Sequence, residues 1–184
     1  MNQNITKKEA EEAFRDILTH FGENPTREGL KETPMRYIKF LTEFFNVPPV
    51  KYTTFDAEGA DEMIVVSNIP FFSLCEHHLA PFFGIGKIAY IPTNKIVGLS
   101  KLPRTLDFYS HRLQNQERIT KQVAEKLVKE LDPKGVAVTL KAQHLCMAMR
   151  GVQKHDTWTT TTKVTGVFKD DYNARQEFLN YSDR

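Results

Sequence analysis

The chain contains two cysteines, and each lies beside histidines. The first is in the run Ser73-Leu74-Cys75-Glu76-His77-His78, and the second ends the run His144-Leu145-Cys146. Thiolate and imidazole are ligands that zinc prefers, and a catalytic zinc site takes three protein ligands so that a fourth position can hold water. Cys75, His78 and Cys146 would supply such a set.

The spacing within each run indicates how these ligands could meet. Cys75 and His78 are three residues apart, so they can converge from one turn. His144 and Cys146 are two residues apart, and on a strand they would face the same side. His77 and His144 are then left beside the metal, where imidazoles can transfer protons near neutral pH.

Other interpretations of the two cysteines remain open at this level. They could be inert core residues or a disulfide, although a reducing cytosol favours metal or catalytic use. A closed structural zinc site would take His77 or His144 as its fourth ligand. A zinc deaminase of the cytidine type would need a C-x-x-C motif, which the sequence lacks. A non-enzymatic binding module, stapled by zinc or a disulfide, would need no cations beyond the site.

A hydroxyl and two cations lie at the start of a predicted helix, in the run Gly98-Leu99-Ser100-Lys101 and in Arg104, which follows it. Free N–H groups and the helix dipole favour an anion there. Arg36 and Lys39 share a face of another predicted helix, and Arg150 closely follows Cys146. These groups suit phosphate, although each alone is an ordinary surface charge. The sequence has no G-x-x-x-x-G-K-[ST] loop, so a P-loop mechanism is unsupported.

Gln116 and Glu117 open a further predicted helix. An acidic residue in a first turn is ordinary capping chemistry. The functional alternative is that the two carboxylate oxygens of Glu117 accept from adjacent N–H donors, such as those on a guanine edge.

Positioning these groups requires both helices and strands. Thr6 and Glu9 form a capping box before the first helix, and Thr33-Pro34 predicts the start of the second, with Thr33 as its cap. Helices are predicted over residues 7–21, 33–45, 100–112, 115–131 and 174–179, strands over 63–69, 82–91, 136–149 and 157–168, and a turn over 92–95. The last two strands should form a hairpin. Segregated helices and strands are typical of an α+β domain.

Size and charge narrow the class of protein. A chain of 184 residues and 21.2 kDa is typical of one domain, here residues 1–184. With 25 Lys+Arg against 23 Asp+Glu, the charge is too balanced to suggest nonspecific nucleic-acid binding. No apolar stretch is long enough for a membrane span. The charged N-terminal segment does not resemble a secretory signal, so we expect a cytoplasmic protein.

Taken together, four motifs resemble those of GTP cyclohydrolase I: Ser73–His78, Gly98–Lys101, Gln116–Arg118 and His144–Cys146. The resemblance extends from Glu32-Thr33-Pro34-Met35-Arg36 to the Thr159–Thr162 run, which is most of the chain. It implies a tunnelling fold, in which N-terminal helices (about 1–60) precede an antiparallel sheet with two helices packed on one face (about 61–184). It also implies a homodecamer with active sites at subunit interfaces.

The same resemblance implies a reaction and roles for the site residues. Water activated by Zn²⁺, held by Cys75, His78 and Cys146, would attack C8 of GTP and open the purine ring. The products would be 7,8-dihydroneopterin triphosphate and formate, in the first step of tetrahydrofolate and pterin biosynthesis. His144 would protonate N7, and His77 would position or deprotonate the water.

For substrate binding, the resemblance implies that Glu117 anchors guanine and that Gln116 lines the same pocket. Ser100 would be linked to the later rearrangement of the sugar. The full predicted substrate-binding set is Arg36, Lys39, Ser100, Lys101, Arg104, Gln116, Glu117 and Arg150. GTP and further copies of the chain are therefore the expected partners, with no nucleic acid and no membrane.

Overall fold

Helix α1 (Lys7–His20) begins at the predicted capping box. In the computed structural model, which describes residues 4–181, the Thr6 hydroxyl accepts from the N–H of Glu9 at 3.2 Å. The Glu9 carboxylate accepts from the N–H of Thr6 at 2.6 Å, so two N–H groups at the helix start are satisfied. Gly22 follows the helix at φ +81°, a conformation that glycine adopts without a steric penalty.

Helix α2 (Thr33–Phe45) carries Pro34 in its first turn, as predicted. The N-cap is Glu32 and not Thr33, because Thr33 is already helical and its hydroxyl donates back to the carbonyl of Gly29 at 3.4 Å. The rings of Phe14 and Tyr37 stack at 4.4 Å and join α2 to α1. These helices belong to one unit, which ends at Val47, and a second unit begins at Pro48. The assignment of residues 1–184 to a single domain stays a prediction.

The second unit is built on a five-stranded sheet. Its strands are β2 (Ile64–Cys75), β3 (Pro81–Ile91), β5 (Leu113–Gln114), β6 (Gly135–His144) and β7 (Trp158–Val164), in the order β5-β2-β3-β6-β7. All neighbours are antiparallel except β2 and β5, and β6 and β7 form the predicted hairpin. Two further strands, β1 (Thr54–Asp56) and β4 (Lys95–Val97), pair separately. The sequence missed both, and it had placed Lys95 in a turn.

Helices α3 (Lys101–Ser110) and α4 (Gln116–Leu131) pack on one face of the sheet, as predicted. Leu106 of α3 and Val123 of α4 belong to the same buried cluster as Val138 of β6. Every one of these side chains is fully buried. The α+β class and the packing of two helices on one sheet face are therefore confirmed.

The last helices are α5 (Leu145–Ala148), α6 (Val167–Asp170) and α7 (Tyr172–Asn180). Phe168 of α6 and Phe178 of α7 cluster with Ala89 and Ala137. Because alternate residues of a strand face opposite sides, this cluster lies on the other face from Val138. The C-terminal helices thus cover a second face that the sequence had left without a helix. Among residues 4–181, no helix combines the length and apolarity that crossing a membrane would demand.

Gly84 marks a close approach of two central strands. It lies opposite Ala142 in the pairing of β3 with β6. A Cβ atom added at Gly84 would lie 2.6 Å from the Cα of Ala142 and would also collide with the carbonyl oxygen of Lys141. Only glycine fits this position. Two residues further along the same register, Phe82 lies opposite His144.

Candidate metal centre and its surroundings

The donor atoms of Cys75, His78 and Cys146 all lie within 4.8 Å of one another. Both cysteines are free, so the disulfide interpretation is wrong for this structure. Bonds of about 2.3 Å to sulfur and about 2.1 Å to nitrogen would place tetrahedral donors roughly 3.5–4 Å apart around zinc. The Sγ of Cys75 and the Nδ1 of His78 are already 4.0 Å apart. Two thiols and one imidazole at these distances fit a zinc ion.

The hairpin loop between β2 and β3 brings Cys75 and His78 together. The N–H of Cys75 donates to the carbonyl of Ala80 at 2.9 Å, and the carbonyl of Cys75 accepts from the N–H of Leu79 at 2.8 Å. Leu79 has a φ of +52°, which turns the chain tightly. Cys75 is buried at the end of its strand, whereas His77 and His78 are exposed on the loop. The predicted convergence from a turn is confirmed.

Cys146 reaches the cluster differently from the sequence prediction. Strand β6 ends at His144, and Cys146 lies in the short helix α5 instead of on a strand beside His144. Phe82 opposite His144 is the last pair of the β3–β6 register, and β3 begins at Pro81, which has no N–H to donate. Without a partner strand the chain turns helical, and the N–H of Met149 donates to the carbonyl of Leu145 at 3.0 Å.

Ionising both thiols is unfavourable because they are close together. Burial raises the pKa of the Cys146 thiol, and the nearby Cys75 raises that pKa further. Arg150 acts in the opposite direction and more weakly. Two adjacent thiolates are therefore costly without a cation, and a divalent metal ion would remove that cost by deprotonating both sulfurs.

Glu76 anchors the loop through a contact that the sequence analysis did not identify. Its carboxylate forms a two-pronged ion pair with the Arg118 guanidinium of α4, and the side-chain amide of Asn115 donates to it at 3.1 Å. The hydrogen bond from Arg118 is the main reason that the pKa of Glu76 lies below its usual range. His77 lies between this carboxylate and the metal ligands. Its Nε2 is 3.9 Å from Glu76 Oε1, and its Nδ1 is 3.7 Å from the Sγ of Cys75.

His144 is held on two sides at the end of β6. Its ring stacks on Phe82 with centroids 4.6 Å apart and planes within 5°. Its Nε2 is 2.8 Å from the Oε1 of Gln116. Burial lowers the pKa of His144, and the negative charge of Glu117 opposes that shift. Glu117 itself is exposed, in a shallow pocket that it shares with Lys121 and Lys163.

The predicted phosphate-binding cations fall into three places. Arg150 joins the metal cluster, since its guanidinium is 2.8 Å from the Nε2 of His78. Ser100, Lys101 and Arg104 lie together at the start of α3, where Ser100 occupies the N-cap position without a side-chain capping bond. Within residues 4–181, no hydrogen bond or ion pair links these three to the cluster.

Arg36 and Lys39 are exposed on α2, in the first unit. Lys39 lies 3.8 Å from Glu43 one turn away, an exposed pair of the kind that adds little stability. The placement of both residues on one helix is confirmed, and their role in binding stays a prediction.

Comparison of the sequence with known proteins points to one family. The family model of GTP cyclohydrolase I matches residues 10–183. GTP cyclohydrolase 1 of Sulfurihydrogenibium sp. (strain YO3AOP1) is 51% identical, over 96% of this chain and 95% of its own. The Bacillus subtilis (strain 168) protein of that name is 46% identical, over 98% of this chain and 97% of its own. A solved structure, archaeosine synthase QueF-Like in the apo form, has 16% identity and a TM-score of 0.47, covering 56% of this chain and 93% of that one.

Proposed function

This chain belongs to the GTP cyclohydrolase I family, and we propose that it opens the purine ring of GTP by zinc-dependent hydrolysis at C8. The products are formate and 7,8-dihydroneopterin triphosphate, so the enzyme is a hydrolase of cyclic C–N bonds that supplies pterin and tetrahydrofolate synthesis. One observation carries the zinc proposal. The Cys75, His78 and Cys146 donors lie within 4.8 Å of one another inside the segment that the family model matches.

The donor set favours zinc over a harder cation. Two sulfurs and one imidazole nitrogen suit zinc, whereas magnesium and calcium prefer oxygen ligands. A bound Zn²⁺ ion would polarise its ligands and lower the pKa of a coordinated water to about 7. Cys75 and Cys146 would hold the ion as thiolates, and His78 would complete a three-ligand site with one open position.

Two further histidines surround the ligands without joining them. His77 is exposed beside Cys75 and faces the Glu76 carboxylate, which suits it to orient the attacking water and accept its proton. His144 is fixed by Phe82 and Gln116, and in the proposal it delivers a proton to N7 of the purine. A positioned imidazole is effective in both tasks because its charge changes near neutral pH.

Guanine recognition is assigned to Glu117. Its carboxylate makes no hydrogen bond or ion pair within the described part of the chain, so both oxygens are available to a ligand. The Watson–Crick edge of guanine offers two adjacent N–H groups, and a carboxylate can accept both. Adenine offers no matching pair, so the proposal requires discrimination against ATP.

The triphosphate is assigned to Arg36, Lys39, Lys101, Arg104 and Arg150, and Ser100 is assigned to the later step at the sugar. A triphosphate carries about four negative charges, and that many cations around an empty site would repel one another. Sharing the cations between subunits would distribute this cost. We therefore propose a homo-oligomer with shared sites, a decamer of about 212 kDa from chains of 21.2 kDa.

The decisive experiment incubates zinc-loaded protein with GTP and measures formate together with the fluorescence of the oxidised pterin. Formate and pterin should appear in equal amounts. Elemental analysis should find about one zinc per chain, as expected of a single three-ligand site. Removing the metal with a chelator should stop the reaction, and adding zinc back should restore it. Absence of formate from the zinc-loaded protein would refute the proposed reaction.

A further inference from the structure

We infer that Gln116 is a positioning residue, which holds His144 with a proton on Nε2 and leaves Nδ1 as the nitrogen that exchanges a proton with substrate. The role of His144 as a proton donor rests on the proposed function. The orientation of the Gln116 amide, and with it the tautomer of His144, rests on hydrogen-bond geometry. It gives Gln116 a role different from lining the substrate pocket, because its amide is already paired inside the protein.

The orientation of the Gln116 amide is fixed by its surroundings. The side chain is only 1% exposed, and its Nε2 donates to the carbonyls of Leu140 at 2.9 Å and Thr159 at 3.0 Å. The Thr161 hydroxyl lies 3.1 Å from the same nitrogen. Carbonyl oxygens can only accept hydrogen bonds, so a flipped amide would place Oε1 against two other acceptors. The Oε1 atom of Gln116 therefore points towards His144.

That orientation selects one tautomer of His144. An amide oxygen only accepts, so the 2.8 Å contact between Gln116 Oε1 and His144 Nε2 requires a hydrogen on Nε2. A neutral imidazole carries one N–H, which leaves a lone pair on Nδ1. The stacked ring of Phe82 adds a second restraint on the plane of the imidazole.

The remaining nitrogen of His144 is open to a ligand. Across residues 4–181, no buried side-chain nitrogen or oxygen lacks a hydrogen-bond partner. No hydrogen bond to Nδ1 is formed within that same part of the chain, so Nδ1 is reached by solvent. In the proposed reaction the doubly protonated ring gives its Nδ1 proton to the purine nitrogen and returns to the neutral Nε2–H form. Nδ1 then takes a new proton from solvent.

The test reads the tautomer directly. Zinc-loaded protein labelled with ¹⁵N-histidine is examined by solid-state NMR at a pH where imidazole is neutral, and a His144→Gln sample identifies the His144 signals. The wild-type protein should show a protonated Nε2 and an unprotonated Nδ1. Gln116→Met removes the acceptor at similar side-chain size, and it should give a mixture of tautomers with zinc retained.

The kinetics should separate positioning from substrate binding. In Gln116→Met, kcat should fall roughly tenfold to a hundredfold, the range known for partners that orient metal-binding histidines, while KM for GTP changes less. Gln114→Met is the matched control. Gln114 is also buried, but its Nε2 donates to the carbonyl of Tyr109 and to Gln122, and its Oε1 accepts from Arg118 and not from His144. That variant should keep the wild-type tautomer.

Several outcomes would overturn the inference. A proton on Nδ1 in the wild-type protein would do so, and this measurement stands even if Gln116→Met fails to fold. An unchanged tautomer in Gln116→Met would also do so, as would a rise in KM without a fall in kcat. The two tautomer results do not depend on whether the wild-type protein releases formate, so failure of the inference and failure of the proposed function remain distinguishable.

Discussion

The metal cluster and the cations at the start of α3 differ in how far the protein fixes them without a ligand. Around the cluster, the Glu76–Arg118 ion pair and the Gln116–His144 contact join a hairpin loop, a strand end and helix α4. The Arg104 side chain is exposed and forms no ion pair among the described residues. The groups proposed for the chemistry are therefore organised in advance, whereas those proposed to bind phosphate at the start of α3 are not held by comparable contacts within the described residues. Preorganised groups cost no rearrangement when the reaction occurs.

The largest effect should come from replacing one of the proposed zinc ligands in the metal cluster. Cys146→Ser should abolish both zinc binding and turnover, because only two of three ligands remain. Met147→Leu, one residue further along α5, should keep both. Elemental analysis and formate release measure the two properties. If zinc were retained in both Cys146→Ser and Cys75→Ser, the ligand assignment would be wrong.

The next effect separates proton transfer from metal binding at the same organised end of the sheet. His144→Ala should retain about one zinc per chain and lower kcat by about 10²–10⁴-fold, as for other positioned proton-transfer groups. His155→Ala, an exposed histidine outside the proposed site, should turn over GTP normally. A normal rate of formate release from His144→Ala would remove His144 from the mechanism.

A smaller effect is expected at Glu117, which is exposed yet close enough to act on His144 electrostatically. Replacing it by Ala should lower kcat/KM for GTP by roughly tenfold or more, since hydrogen bonds to a charged acceptor are lost. Glu117→Gln keeps the shape and loses the charge, so it should fall in between. Competition between GTP and ATP measures selectivity, and unchanged discrimination in Glu117→Ala would contradict the assignment.

The smallest signal is a partial recovery of activity in mixed oligomers. His144→Ala and Arg104→Ala should each be nearly inactive alone. If each site takes His144 from one chain and Arg104 from another, random mixing after joint refolding leaves about a quarter of the sites intact. Formate release by the mixture measures the recovery. No recovery in oligomers shown to contain both variants would place the two residues in one subunit. The mass of the assembly is a separate measurement, and light scattering should report about 212 kDa for ten chains of 21.2 kDa.

Local sequence patterns were sufficient for much of this organisation. The capping box at Thr6 depends on residues three apart, and the start of α4 depends on Asn115, whose side chain accepts from the N–H of Arg118. The spacing of Cys75 and His78 predicted that they converge, because both lie at the turn that follows β2. Each of these features depends on residues that are close together in the sequence, so the sequence alone predicts it.

Features set by distant pairing could not be predicted in the same way. The end of β6 at His144 depends on where β3 begins, 63 residues earlier at Pro81. The partners Glu76 and Arg118 are 42 residues apart in sequence. The orientation of the Gln116 amide depends on two carbonyls, in β6 and β7, that meet only after the hairpin forms. The prediction of a strand over residues 136–149 lacked this information, and the pocket role of Gln116 stays a prediction.

The close approach at Gly84 has a consequence for redesigning the enzyme. At this position β3 and β6 meet backbone to backbone, so no side chain is available there to adjust their separation. Phe82 and His144 lie two residues along the same pair of strands, so their spacing is set by the backbone. An engineer can exchange the side chains on either strand to change the reactivity of the site. The distance between the positions that carry them is not open to the same adjustment.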